Sequence, residues 1–257
     1  FGSYPENMGT LENKGVELNF AFIPYQNTAK SAYWTISVNG SHNTDKLKKI
    51  SEALRHMNEE NYNEQGDSPL PHYEEGESIN RIWAVKSLGI DPMTGDEVFQ
   101  RKDGSYTYNW DSSEEIIVGD TNPDFEGNFG STVRYKGFSL GVNFRYRYGG
   151  QMFLSTLFNK VEGLSASDLQ YNQDKRALYD RWQKPGDVAK FKRIDDTSLT
   201  NMSSRFVADD NTLECKSISL GYETTNATWL KPIGLSSLTF RVYMNDIFRV
   251  STVKEER

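Results

Sequence analysis

Hydrophobic and polar residues alternate along the stretch FSLGVNFRYRY, residues 138–148. The apolar and aromatic side chains share one parity, and the polar or small ones, which include Asn143, Arg145 and Arg147, share the other. Side chains on a β-strand alternate between its two faces, so this pattern predicts a strand with one apolar and one polar face. The apolar row ends in two tyrosines, which favour a boundary between an apolar phase and water. Either a protein core or lipid could cover the apolar face.

Similar alternation elsewhere predicts further strands over 15–22, 33–40, 81–88, 97–101, 125–135, 212–222 and 236–248. The segments 15–22 and 33–40 are predicted to form a hairpin, and so are 125–135 and 138–148, which only Lys136-Gly137 separates.

Helical spacing predicts two short helices. Leu47, Ile50, Leu54 and Met57 predict an amphipathic helix around 45–60, and a second helix is expected within 169–181.

The connections between the predicted strands differ in length. Long polar stretches cover 42–80, 102–123 and 149–210, and they alternate with short or medium connections. If the strands are antiparallel, every long connection lies at one end of the sheet. That asymmetry is typical of outer-membrane barrels, so the pattern favours a barrel over a β-sandwich.

Composition narrows the function classes. The chain has 257 residues, 36 acidic against 29 basic, and a net charge of −7, which argues against a nucleic-acid binder. No run of 18 apolar residues exists, so no transmembrane helix is expected; a transmembrane barrel stays possible. The mean hydropathy of −0.69 is polar even for a soluble protein, and long polar loops and a water-filled lumen would explain it in a barrel. Cys215 is the single cysteine and is expected to be a small wall residue.

Signals for enzyme chemistry are weak. The histidines are expected to be solvated loop residues rather than metal ligands, and the adjacent aspartates point apart, which disfavours glycoside hydrolysis. The segment 91–96 is interpreted as a turn rather than a calcium loop. The chain is predicted not to be an enzyme and to need no metal and no cofactor. The residues weighed are His42, His56 and His72, with the pairs Asp195 and Asp196, and Asp209 and Asp210.

Several segments also resemble one family, the SusC/RagA group of TonB-dependent outer-membrane transporters of Bacteroidetes. They occur in the family's order and span nearly the whole chain: NMGTLENKGVEL (7–18), LGIDPMTGD (88–96), FEGNFG (125–130) with YKGFSL (135–140), RWQKPGD (181–187), LECKSISLGY (213–222) and FRVYMNDIF (240–248). One departure is Asp246-Ile247, where the family usually has asparagine and leucine.

The resemblance implies an all-β fold, an antiparallel transmembrane β-barrel segment of a large transporter of the 22-stranded class with long extracellular loops. Residues 1–257 would be the C-terminal portion of that barrel, and the plug domain and last strand are expected to lie outside them. The eight predicted strands would then all be wall strands. The implied function is nutrient import across the cell outer membrane, which the chain would cross several times.

The implied partners are a SusD-like surface lipoprotein, the TonB complex acting through the absent N-terminal region, outer-membrane lipid, and a glycan or peptide substrate. The alternative hypothesis for the function is a soluble carbohydrate-binding β-sandwich module. A third hypothesis, ranked below these two, is a secreted β-rich hydrolase.

Two groups of residues are candidates for the ligand path. Asn143, Arg145 and Arg147 would face the lumen if the apolar face of 138–148 meets lipid. Pairing with neighbouring acids of the wall is the alternative for each of the three. Tyr171, Tyr179 and Trp182, in the longest polar interval, could stack on sugar rings, and ordinary loop packing is their alternative.

Overall fold

The computed structural model of the protein describes residue 7, residues 9–63 and residues 70–254, and strands dominate it. The strands are β1 (Gly9–Asn27), β2 (Ala32–Ile50), β3 (Arg81–Ile90), β4 (Glu97–Gln100), β5 (Tyr106–Thr107), β6 (Glu115–Asp120), β7 (Phe125–Tyr135), β8 (Phe138–Tyr148), β9 (Gln151–Phe153), β10 (Val207–Asp209), β11 (Thr212–Thr225) and β12 (Ser237–Ser251). The α-helices are α1 (Glu52–Asn63) and α2 (Arg176–Tyr179). None of the helices described is long and apolar enough to cross a membrane.

Six long strands form one antiparallel sheet, here called the wall sheet, in the order β1-β2-β7-β8-β11-β12. Chain order equals spatial order, so each strand pairs with its neighbours along the wall. The predicted bounds of β7 and β8 are confirmed, and so is the turn between them. Lys136 and Gly137 have φ of 47° and 88°, and a two-residue turn with both φ angles positive matches the natural twist of a hairpin.

The first two strands are longer than predicted, at 19 residues each. β1 continues through Pro24, which is tolerated because the β1–β2 ladder is irregular between Phe22 and Tyr25 and gives Pro24 no paired position. The predicted helix around 45–60 begins too early: Leu47 and Ile50 belong to β2 and pair with Leu11 and Gly9 of β1. Both side chains still pack with Leu54 of α1, so the apolar spacing reflects a shared small core rather than one continuous helix.

The predicted strands 81–88 and 97–101 exist, but they are not wall strands. They are β3 and β4 of a separate four-stranded sheet with the order β5-β4-β3-β6. Residues 82–85 are four consecutive buried positions, which suits a strand covered on both faces rather than one with a lipid face. β4 has four residues, too few for the nine to eleven that a transmembrane strand needs. The interval 102–123, predicted as a loop, supplies β5 and β6.

The interval 149–210, predicted to be an extended polar loop, holds an apolar core instead. Phe158 and Phe206 meet edge to face at 5.1 Å, and Phe158 belongs to a π-helical turn over Leu157–Glu162. The predicted helix within 169–181 is present as α2. The buried members of this core are Leu154, Leu157, Phe158, Val161, Leu164, Ala177, Phe191, Phe206 and Val253.

The two long excursions, 51–124 and 149–211, lie at the same end of the wall sheet and are here called the cap. The other end carries the short connections after β1, β7 and β11. Hydrogen bonds join the cap's two halves, among them Ser87 N to Ser204 Oγ at 3.0 Å and Trp110 Nε1 to the Met202 carbonyl at 2.8 Å. The predicted separation of long and short connections is confirmed for the wall strands, but the short connection after the predicted strand 81–88 lies in the cap, because that strand is not part of the wall.

Candidate functional site

One face of the wall sheet is apolar across all six strands. The register aligns Val38, Phe129, Phe144, Cys215 and Phe248 in a single row across β2, β7, β8, β11 and β12. A bulge after Cys215 keeps the row aligned by resetting the parity of β11. Phe129 and Phe144 stack at 4.8 Å between ring centroids.

This apolar face is open. Leu140 is 44% exposed, Leu220 56% and Met244 58%, although each lies in the interior of a strand. A β-sandwich would bury such residues beneath a second sheet. Exposed apolar patches of this extent on a protein mark a surface that meets another apolar phase.

Tyr146 belongs to this face and covers two glycines. A Cβ at Gly40 would lie 2.6 Å from the Tyr146 hydroxyl oxygen, and one at Gly127 would lie 2.8 Å away. The Tyr146 hydroxyl also donates to the Asn39 carbonyl at 3.2 Å. The ring thus fills the space over the glycines, next to the cap end of β8.

The opposite face of the wall sheet is polar and carries the three residues predicted for the ligand path. Asn143 donates to Ser217 Oγ at 3.1 Å, and Arg145 pairs with Glu126 at 3.3 Å. Arg147 reaches the cap, where it pairs with Asp210 at 3.1 Å and donates to the Thr121 carbonyl. All three therefore have partners within the protein, and their contact with a lumen or a ligand stays a prediction.

Two hollows lie along this polar face. The hollow nearer the cap, about 690 Å³, includes Arg145 with the carboxylates of Glu17 and Glu126. The hollow nearer the short turns, about 490 Å³, includes Arg134 and Arg241 with one carboxylate, Glu223. The first therefore has more acids than bases, and the second has more bases than acids.

The aromatic residues predicted for the cap divide into two groups. Tyr171 is 69% exposed and Tyr179 is 75% exposed, so both rings are accessible. Trp182 is half-buried and donates from Nε1 to the Pro92 carbonyl at 2.9 Å. It also lies against Gly95, where a Cβ would meet the ring at 2.6 Å. Trp182 thus packs against the turn after β3, and a role for it in ligand contact stays a prediction.

The residues weighed for enzyme chemistry have structural contacts. Asp195 pairs with Arg193, Asp196 with Lys192, and Asp210 with Arg147, while Asp209 accepts from Gln151. Each adjacent carboxylate therefore has a separate partner. Asp91 begins the predicted turn by bonding to Asp96 through its backbone and to Met93 through its side chain. Among the described residues, no group of three His, Cys, Asp or Glu is placed to hold a metal ion.

The expectation that all three histidines are solvated loop residues is wrong. His42 is on β2, His56 is on α1, and the His72 side chain is only 7% exposed. The His72 ring lies 4.3 Å from that of Trp83, and burial lowers the pKa of His72 despite Glu74 beside it. A histidine in a polar stretch has no local signal of burial, because the covering ring lies on β3.

The cap also contains a buried ionic cluster that no pattern in the sequence predicts. Arg205 bonds to Glu162 at 2.6 Å and to Glu97 at 2.8 Å, while Ser203 donates to Glu97 at 2.6 Å. Burial alone would lower the pKa of Arg205, but the charges of Glu97 and Glu162 outweigh it and raise that pKa. The partners are far apart in sequence, so no local spacing predicts the cluster.

Glu115 of β6 is half-buried, and among the described residues it has no cation beside it comparable to Arg205. Burial raises the pKa of Glu115 to about 7, and the more distant charge of Lys102 offsets only part of that effect.

Comparisons with known proteins agree with this geometry. No protein-family model matches the sequence. The chain is 23% identical to TonB-dependent receptor P39 of Formosa agariphila over 96% of its own length and 27% of the receptor. It is 25% identical to TonB-dependent receptor P3 of the same organism over 93% of its length and 24% of that receptor. The chain thus spans about a quarter of the curated relatives it matches.

Solved structures show the same fold. A chain in the structure of the RagAB peptide transporter superposes with a TM-score of 0.76 and 20% identity, over 96% of this chain and 26% of that one. The RagAB peptide importer in its open-open state gives a TM-score of 0.74 at 20% identity, over 94% and 25% of the two chains. These relatives are named receptors and transporters rather than enzymes. The resemblance to SusC/RagA-type TonB-dependent transporters, and to the fold of that part of their barrels, is therefore confirmed over nearly all of this chain.

Proposed function

We propose that the chain is the C-terminal portion of the barrel of a TonB-dependent outer-membrane importer of the 22-stranded class. The wall sheet is a segment of the barrel, its apolar face meets lipid, and its polar face lines the lumen. The plug domain and the last strand lie outside residues 1–257. The observation that carries this proposal is the open apolar face, continuous over six strands.

The dimensions of that face support a membrane span. Aromatic residues bound it at Phe138 and Tyr135 near the short turns and at Tyr148 and Phe125 near the cap. Ten residue steps along β8 separate the two rows, or roughly 34 Å of strand. With a strand tilt of about 40°, the height is roughly 26 Å, close to the apolar band of about 25 Å in outer-membrane barrels.

Direction follows from the two ends of the wall sheet. Outer-membrane barrels have short turns in the periplasm and long loops outside the cell. On this proposal β8 rises outward, Tyr146 and Tyr148 lie at the outer lipid boundary, and the cap is extracellular.

Asn143, Arg145 and Arg147 then face the lumen. Their partners hold them in fixed positions, and a substrate would meet the outer edges of these groups rather than unpaired charges.

The accessible rings of Tyr171 and Tyr179 suit contact with an incoming glycan or peptide, while Trp182 supports the turn beneath them. The wider activity is import driven by the TonB complex, with a SusD-like lipoprotein delivering the substrate. The family resemblance and the likeness to the RagAB transporter support these partners.

Adjacent residues on opposite faces provide the test. In the complete protein with Cys215 replaced by Ser, Leu220→Cys and Ser219→Cys each take a nitroxide spin label, and the protein is reconstituted into lipid vesicles. We expect the label at 220 to be accessible to oxygen, which concentrates in lipid, and the label at 219 to be accessible to a water-soluble nickel chelate. Nickel access at both positions, or at neither, would overturn the proposal.

A further inference from the structure

The two ends of the wall sheet differ in charge. The three short connections contain three lysines and no acidic residue, and all three lysines are exposed. They are Lys30 in the connection 28–31, Lys136 in 136–137, and Lys231 in 226–236. The two excursions of the cap together contain 26 acidic and 14 basic residues. The end with the short connections is therefore the basic end of a chain whose net charge is −7.

The longest short connection, residues 226–236, presents apolar side chains to its surroundings. It contains a 3₁₀ helix over Thr228–Ile233, in which Leu230 is fully buried. Three other large apolar side chains of this connection are exposed, by 53%, 63% and 46%: Trp229, Ile233 and Leu235. A turn surrounded by water is usually built from polar residues and glycine. Three exposed apolar side chains in so short a connection indicate contact with another apolar phase.

These exposed side chains continue the apolar face of the wall sheet. Leu235 is three residues before Leu238, which is the first residue of β12 on that face and is followed there by Phe240. Leu238 and Phe240 are themselves exposed. Tryptophan is enriched where a membrane meets water, because its ring is apolar and its N–H is polar. Trp229 therefore lies where the apolar face of the wall gives way to the short connection.

Lysines lie beside exposed apolar side chains at this end of the sheet. Lys136 Nζ is 5.3 Å from the centroid of the Tyr135 ring, within the range of a cation–π contact. Lys231 is two residues from both Trp229 and Ile233. The stem of a lysine can follow an apolar surface while its ammonium group reaches the polar layer next to it. This combination suits the boundary of a membrane, where phosphate groups lie next to hydrocarbon.

We propose that this end of the wall sheet, here called the basic rim and defined by Lys30, Lys136 and the connection 226–236 with Lys231, binds the headgroups of anionic phospholipids. The apolar side chains of 226–236 insert into the same interface. The three turns are two strands apart, so their lysines are spaced by roughly 10 Å along the wall. A row of charges with this spacing suits a layer of headgroups better than one compact ligand. Each lysine near an anionic membrane strengthens the attraction about fivefold. The assignment rests on the proposed function, which places the wall in a bilayer.

A first experiment measures whether the connection 226–236 reaches the interface. In the complete protein with Cys215 replaced by Ser, Ile233→Cys takes a nitroxide spin label, and the protein is reconstituted into vesicles of phosphatidylcholine and phosphatidylglycerol. The matched control is Thr28→Cys, an exposed position in a short connection that has no large apolar residue. We expect the label at 233 to be accessible to oxygen and protected from the water-soluble nickel chelate. The label at 28 should be accessible to the chelate.

A second experiment measures the preference for anionic headgroups. Spin-labelled phosphatidylglycerol or phosphatidylcholine is added in trace amounts to the complete protein in phosphatidylcholine vesicles, and the fraction of labelled lipid that the protein immobilises is recorded. We expect a preference for phosphatidylglycerol of about twofold or more at low salt. The triple variant Lys30→Gln, Lys136→Gln, Lys231→Gln should lose most of this preference. The control removes three exposed lysines from the opposite end, in the cap: Lys160→Gln, Lys175→Gln and Lys184→Gln.

The outcomes separate the alternatives. Equal access of the chelate to positions 233 and 28 would overturn the insertion of the connection, and protection of 233 from both oxygen and the chelate would replace lipid by a protein partner. No preference in the wild type, an unchanged preference in the triple variant, or an equal loss in the cap control would overturn the binding of anionic headgroups. The labels at 219 and 220 report the orientation of the wall independently. Their failure counts against the proposed function, whereas failure at the basic rim alone counts against this assignment.

Discussion

Met244→Arg tests whether the apolar face meets lipid, because the expected change in the free energy of unfolding differs most between lipid and water at this position. Met244 pairs with Ile218, which pairs with Val142 near the middle of β8, and its side chain is 58% exposed. On a water-exposed surface, such a substitution changes the free energy of unfolding by at most about 0.5 kcal/mol. At the midplane of a bilayer, arginine on the lipid face of a barrel costs about 2–4 kcal/mol. That range is a roughly 30- to 900-fold change in the folding equilibrium.

The neighbouring residue is the control for this variant. Asn245 lies on the polar face opposite Ser217, so Asn245→Arg adds the same charge where water is expected. The measurement is urea unfolding of the complete protein in lipid vesicles, followed by tryptophan fluorescence. Unfolding free energies of the two variants within 0.5 kcal/mol of each other would refute a lipid-facing Met244.

Three further predictions concern the cap and the turns. Arg205→Met leaves its two glutamate partners buried without a counterion, which costs about 3–5 kcal/mol of stability. We therefore expect limited proteolysis to cut the cap of this variant faster than that of the wild type. The control is Arg55→Met, which removes a solvent-exposed ion pair and should not change the rate of cleavage. Gly137→Ala forces an alanine into a φ of 88°, at a cost of roughly 1–2 kcal/mol or more, visible as slower refolding into vesicles. The raised pKa of Glu115 means that its contribution to stability is complete below its usual pKa of 4.5 and is lost as pH rises through about 7. Glu115→Gln should remove the loss of the cap's protease resistance that Glu115 causes as pH rises toward about 7. A variant with the same pH profile as the wild type would contradict this role of Glu115.

Prediction from the sequence succeeded where the alternation of apolar and polar residues reflects only the two faces of a strand. The strands β7 and β8 alternate strictly, and the turn residues between them match the backbone that the hairpin needs, so local pattern and tertiary structure agree. Connection lengths then placed the cap and the short turns at opposite ends without any structural information.

Prediction from the sequence failed where contacts between distant segments determine the structure. The pattern of β3 predicts another wall strand, but its four consecutive buried residues belong to the cap, where elements from distant segments cover them. The cap core and the cluster around Arg205 join residues separated by tens of positions in the chain. Leu47 and Ile50 follow a helical spacing because they share a core with α1, and that spacing misled the assignment of their own backbone.

The sequence prediction of site residues was limited for the same reason. The polar parity of β8 identified Asn143, Arg145 and Arg147 correctly as neighbours on one face, but it could not show that each has a partner. Arg134 and Arg241 of the same face lie on β7 and β12. Only the sheet register brings them into one row.

The interlocking of the cap's two halves limits how such a chain can change. Ser87 bonds to Ser204, Trp110 bonds to Met202, and Trp182 bonds to Pro92, so each excursion supplies groups that the other needs. If one excursion were replaced by that of a relative and the other were kept, these hydrogen-bond donors would face acceptors from a different sequence. New outer surfaces would therefore be inherited, or grafted by an engineer, as a matched pair of excursions, while the wall beneath could stay as it is.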